Sequence, residues 1–109
     1  MDEKEERIMT FETLVDENYR EKRFPSFYAE RLNMSVNHLN RICREKRAVS
    51  CGALIRNRII LEAERLLYHT FKTVREIAIE LGFDNVPYFI TFLRPRKGRA
   101  LRNLGKPNR

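Results

Sequence analysis

Asn37, Asn40, Arg41 and Arg44 bring amide and guanidinium groups together within eight residues. An amide donates and accepts at once, and a guanidinium grips two acceptors or an anionic oxygen. Those groups suit the edges of nucleic-acid bases and their phosphates. The element that must hold them shows in their neighbours: Leu39, Ile42 and Cys43 are spaced by three and four and form one apolar stripe. The stripe buries one face of a helix and leaves bare a polar face with the size and chemistry to enter a major groove.

The arrangement occurs twice. Ala29, Leu32, Asn33, Met34, then Leu39, Ile42, Cys43 and Arg44 form one copy; Ala78, Leu81, Gly82, Phe83, then Phe89, Phe92, Leu93 and Arg94 form the other. The offset is 49 before the turn and 50 after it, so the second copy has one extra turn residue. Ala29 and Ala78 are small enough to let paired helices approach closely. Gly82 can take the positive φ that ends a helix, and Asn33 is the next most tolerant residue. One copy alone reads as an ordinary amphipathic surface helix, but two in matching register on a basic chain point to DNA.

The net charge of +7 hides an asymmetry. Residues 1–22 hold eight acids and four bases, whereas residues 23–109 hold eighteen bases and seven acids. The basic part is the part with the repeats, and it supplies attraction to a polyanion without choosing between DNA, RNA and an anionic membrane. No segment is long and apolar enough to span a bilayer and the start lacks a secretion signal, so a cytoplasmic location is expected. Cys43 and Cys51 are too few for a disulfide framework or a zinc site, and Cys43 reads as a small core hydrophobe. His38 and His69 lack partners for metal or catalytic chemistry, and no cofactor is implied.

Seven helical candidates follow. Ile8, Phe11, Leu14, Val15 and Tyr19 mark one face of the first, which Phe24 and Pro25 end. Ser26 is expected to cap a short second helix, Ser35 a third running to about Lys46, and Ser50 a fourth of about twenty residues. In that fourth helix Leu54, Ile55, Ile59, Ala63, Leu66 and Leu67 lie on more than one side, which suits a connecting helix gripped by both copies. Thr73 and Glu76 form a capping box, and Asp84 or Asn85 caps the next helix, with Pro87 tolerated in its first turn. Pro95 should end that helix near Arg94. A marginal seventh turn is expected over residues 100–104, within a tail whose last sixteen residues carry seven bases and no acid.

The run Glu62-Ala-Glu-Arg-Leu-Leu67, Thr73-Val-Arg-Glu-Ile-Ala78, Leu81-Gly-Phe83 and Tyr88-Phe89, with Gly98 beyond, resembles the DNA-binding domain of AraC/XylS-type transcription regulators. Tyr28-Ala29, Leu32, Met34-Ser35, His38-Leu-Asn-Arg41 and Arg58 fit the same template. The resemblance implies an all-α, homeodomain-like fold of two helix-turn-helix subdomains joined by a long helix. Residues 1–49 would form the first subdomain with its acidic leader, 50–70 the connecting helix, and 71–109 the second with its basic tail. It implies binding to successive major grooves of double-stranded DNA, transcription regulation, chiefly activation, and RNA polymerase as a further partner. An effector or dimerisation domain is expected to be absent, the chain being an excised fragment or a small stand-alone member.

Carried over by position, Asn37, Asn40 and Arg41 resemble base readers, with Ser35, His38 and Arg44 as phosphate contacts. The corresponding second-copy positions are Val86, Pro87, Ile90 and Thr91. Only Thr91 is polar; the others can at most touch a thymine methyl, so Val86, Pro87 and Thr91 read bases weakly while Thr73, Arg94 and the tail hold phosphates. Ala48 stands where a turn glycine is usual, Pro95 where a basic helical residue is usual, and Leu101 in place of a closing proline. Besides a sequence-selective regulator, an interaction module with weak DNA affinity fits the apolar second face. An enzyme fits least, for the sequence has no nucleophile–base pair, phosphate-cradling glycine loop or metal-ligand cluster.

Overall fold

Short polar side chains and prolines decide where each helix begins in residues 2–94, the part of the chain that the computed structural model describes. Asp2 opens α1 (Glu3–Asn18) by accepting from the Glu5 amide at 2.7 Å, and Glu3, Glu5 and Glu6 lie against the positive end of the helix. Next comes α2 (Pro25–Arg31), which begins at its proline. Ser26 is not the cap that the sequence suggests: Phe24 holds that place without a side-chain bond, because Pro25 has already set the helical φ. Ser35 and Ser50 do cap α3 (Val36–Arg47) and α4 (Cys51–His69), accepting from the His38 and Ala53 amides at 3.0 and 3.1 Å.

The expected capping box opens α5 (Val74–Glu80): the Thr73 hydroxyl accepts from the Glu76 amide at 3.0 Å, and the Glu76 carboxylate accepts from the Thr73 amide at 2.8 Å. Asn85, not Asp84, caps α6 (Val86–Leu93), taking the Tyr88 amide at 2.7 Å. That helix stops at Leu93 and Arg94 is extended, as a proline at position 95 demands of the residue before it. Six helices and no strand lie among the described residues. The seventh turn expected over residues 100–104 lies outside them, as do Gly98 and Leu101.

The two repeated turns are built alike. The Met34 amide donates to the Ala29 carbonyl at 3.0 Å and the Asn33 amide to Glu30, while Phe83 donates to Ala78 at 2.8 Å and Gly82 to Ile79. These are two Schellman turns, closed by Asn33 at φ 58° and Gly82 at φ 89°. The caps that follow, Ser35 and Asn85, are 50 residues apart against 49 for the turns, so the extra residue lies in the second linker. A third left-handed residue, Ala48 at φ 66°, ends α3.

The buried side chains form one cluster running from Ile8 and Phe11 through Leu39, Ile55 and Ile59 to Ile77, Phe83 and Phe89. At its centre α4 packs on α1, α2, α3 and α5, while α6 packs on α5. Ile59 and Ile60 are adjacent in sequence and both buried, so α4 is covered on more than one side. Leu67, part of the same apolar pattern, is instead exposed. No described helix is long and apolar enough to cross a membrane.

Candidate nucleic-acid interface

The acids of α1 sort the charges of α3. Arg47 is held by Glu12 through two bonds of 2.8 and 3.1 Å and by Glu5 at 3.1 Å, and these carboxylates push its pKa further up. Lys46 pairs with Asp2 at 2.9 Å, and Lys4 with Glu45 at 3.0 Å. Arg41 and Arg44 are exposed and take part in no ion pair among the described residues, and Asn37 is exposed beside them. One helix therefore carries two kinds of cation: an inner pair already neutralised and an outer pair open to a polyanion.

The polar groups around this face are partly committed. Ser35 uses its oxygen to accept from the His38 amide, which leaves its O–H free to donate; His38 itself is half-buried. Asn40 is half-buried, and its Oδ1 accepts from the Cys51 amide at 2.9 Å. That bond anchors the start of α4 and leaves the Asn40 Nδ2 group as the side chain's free donor. Sequence spacing placed Asn40 on the polar face but could not show this tie, which depends on the turn that brings α4 back against α3.

On the second unit Pro87, Ile90 and Thr91 are exposed and Val86 is half-buried, so the outer face of α6 is apolar except for Thr91. Tyr88 adds a half-exposed phenol, its ring leaning on Phe83 and Phe92 at 5.8 and 6.4 Å between centroids. Arg75 is exposed in the first turn of α5 near Thr73 and has no ion pair among the described residues. Neither Tyr88 nor Arg75 is among the contacts expected from the sequence. Their signal was position alone, beside Pro87 and within the capping box. Thr73 and Arg94 are exposed, and Thr73 keeps its O–H to donate.

The other reactive groups are turned inward or scattered. Cys43 and Cys51 are buried free thiols close enough to influence each other, an interaction that lowers the pKa of Cys51 and raises that of Cys43. His69 is exposed at the end of α4. Among the described residues no three His, Cys, Asp or Glu side chains converge as metal ligands.

The family described as "Helix-turn-helix domain" matches residues 28–106. Among curated proteins, the chain is 28% identical over 86 residues to the bifunctional transcriptional activator/DNA repair enzyme AdaA of Bacillus subtilis (strain 168), a match that covers 79% of this chain and 41% of that protein. Among solved structures, it is similar to the C-terminal domain of the two-component response regulator yesN from Fusobacterium nucleatum, at 26% identity and a TM-score of 0.72 over 78% of this chain and 89% of that one. A DNA-binding transcriptional dual regulator from Escherichia coli K-12 shares the fold, with 21% identity, a TM-score of 0.66, and coverage of 95% and 96%. With matching turns, matching caps and a family match over most of its length, the chain belongs to the AraC-type helix-turn-helix family of DNA-binding transcription regulators.

Proposed function

We propose that this chain binds double-stranded DNA sequence-selectively and regulates transcription, chiefly as an activator, by lodging α3 and α6 in successive major grooves. The observation that carries the reading is the outer face of α3, where Arg41 and Arg44 remain unneutralised although α1 occupies Lys46 and Arg47. In this reading α4 is the rod that spaces the two units. Asn37, the Nδ2 group of Asn40 and Arg41 read base edges, while Ser35, His38 and Arg44 hold phosphates. On the second unit Val86 and Pro87 meet thymine methyls, Thr91 supplies one polar contact, and Thr73 and Arg94 hold the backbone. Activation draws support from the activator named among the relatives. RNA polymerase is the partner that such a role implies.

A second reading is favoured by the apolar outer face of α6, where Ile90 is 45% exposed. In it α6 docks on a protein and the chain binds DNA only weakly. Duplex affinity measured from low to high salt separates the two. DNA binding predicts a steep fall, with a slope of about −0.9 per phosphate neutralised, and a shallower slope for Arg94→Ala. A flat profile would favour the protein-docking reading.

A further inference from the structure

Arg23 lies between α1 and α2, yet its side chain belongs to the turn of the second unit. Its Nη1 donates to the Gly82 carbonyl at 3.2 Å, across 59 residues of sequence. Its guanidinium carbon is 4.1 Å from the centre of the Phe83 ring, 5.7 Å from Phe24 and 6.0 Å from Tyr88. The Nε atom is buried and has no hydrogen-bond partner. A buried charged donor without an acceptor is costly, and here the ring faces provide the compensation.

The backbone repeats the tie. A Cβ on Gly82 would fall 2.1 Å from the Arg20 carbonyl oxygen, so only glycine lets the two segments approach this closely. The Arg20 side chain then reaches Glu62 of α4 at 3.0 Å and Glu80 of α5 at 3.6 Å. Helix to helix, the second unit leans on the first mainly through α5 against α4. The Arg56 guanidinium of α4 also lies over the Phe92 ring of α6 at 4.6 Å. The Arg20–Arg23 segment adds a tie from outside α4, reaching the second unit at Gly82, Phe83 and Glu80.

We propose that Arg23 is a positioning residue that bolts the second helix-turn-helix unit to the first through the Gly82 turn and so fixes the half-site spacing the chain accepts. The spacing half of this inference rests on the DNA-binding reading above; the mechanical half does not. Inserting one base pair between half-sites rotates the second by about 35° around the duplex. A bolted protein cannot follow that rotation, whereas an unbolted one can.

The test uses Arg23→Met, which keeps the aliphatic stem and removes the charge and the donors, with Arg23→Leu, which removes the same groups with a different shape, as a second variant should the first fail to fold. In the free protein, residual dipolar couplings should fit one alignment tensor for α3 and α6 in the native chain and two in the variant. On a selected duplex, one inserted base pair should weaken the native chain about tenfold or more. The variant should show a clearly smaller penalty and unchanged affinity for the first half-site alone. A folded variant that keeps one tensor, or keeps the native spacing penalty, overturns the proposal. If the native chain prefers no duplex, the DNA-binding reading and the spacing claim fall together, while the tensors still decide whether Arg23 couples the units.

Discussion

Arg41 and Arg47 are six residues apart on one helix and have opposite surroundings. Arg47 is tied to Glu5 and Glu12 and welds α3 to α1, whereas Arg41 faces outward. Arg41→Ala should cost about 1–3 kcal/mol of discrimination at one or two base positions, measured with single-base duplex variants. Arg47→Ala should lower the denaturant midpoint and leave base preference unchanged; altered preference would move Arg47 into the interface. The sequence displayed all these cations equally, because pairing across 35 and 42 residues depends on how α1 packs. Glu62 is a second residue whose role only the fold reveals. It is buried, and its carboxyl is held below the usual range chiefly by Arg65, at 2.7 and 3.0 Å, with further attraction from Arg20. A depressed pKa makes the folded state reluctant to take a proton. The resulting stability is complete above the ordinary value of about 4.3 and fades as pH falls through the folded value. Glu62→Gln should therefore cost about 1–2 kcal/mol at neutral pH, with the gap closing in acid. Urea unfolding at both pH values checks this, and a gap that widened in acid would refute it.

Turns and caps were the most readable elements, since each is written within a few residues. Gly82, Asn33, the Thr73–Glu76 box and the stop before Pro95 needed no tertiary knowledge. Ser26 misled because a proline beside it settles the helix start by backbone geometry, and Leu67 because periodicity cannot tell which flank of α4 a neighbour will cover. Ala48 is the one turn residue that its conformation does not favour. At φ 66° its Cβ crowds the backbone, so Ala48→Gly should raise unfolding stability by about 0.5–1 kcal/mol despite the freer unfolded chain. A loss in thermal or urea unfolding would show that the Ala48 methyl contributes packing worth more than the strain. For α6, an apolar face implies methyl contacts. Replacing thymine by uracil in the second half-site should weaken binding by about 0.8 kcal/mol per methyl touched, and more than the same exchange in the first half-site. Equal effects in both would remove Val86 and Pro87 from base reading.

At the scale of the molecule, the described residues extend 42 × 28 × 22 Å, long enough to present two insertion elements to grooves that repeat at about 34 Å. The division of charge seen in the sequence has a structural meaning. The acidic first segment is a helix that neutralises the inner end of α3, while Arg41 and Arg44 stay exposed on its outer face. What the sequence could not convey is how firmly the two units are held together, because that depends on Arg20, Arg23 and Gly82 meeting across the fold. In the DNA-binding reading two helices engage one duplex together, and selection from a random duplex library with this chain alone tests this most directly. Two enriched blocks about one helical turn apart are expected, the first specified by α3 and blurred by Arg41→Ala, the second looser and rich in thymine. No enrichment, or a lone block indifferent to Arg41, would contradict it.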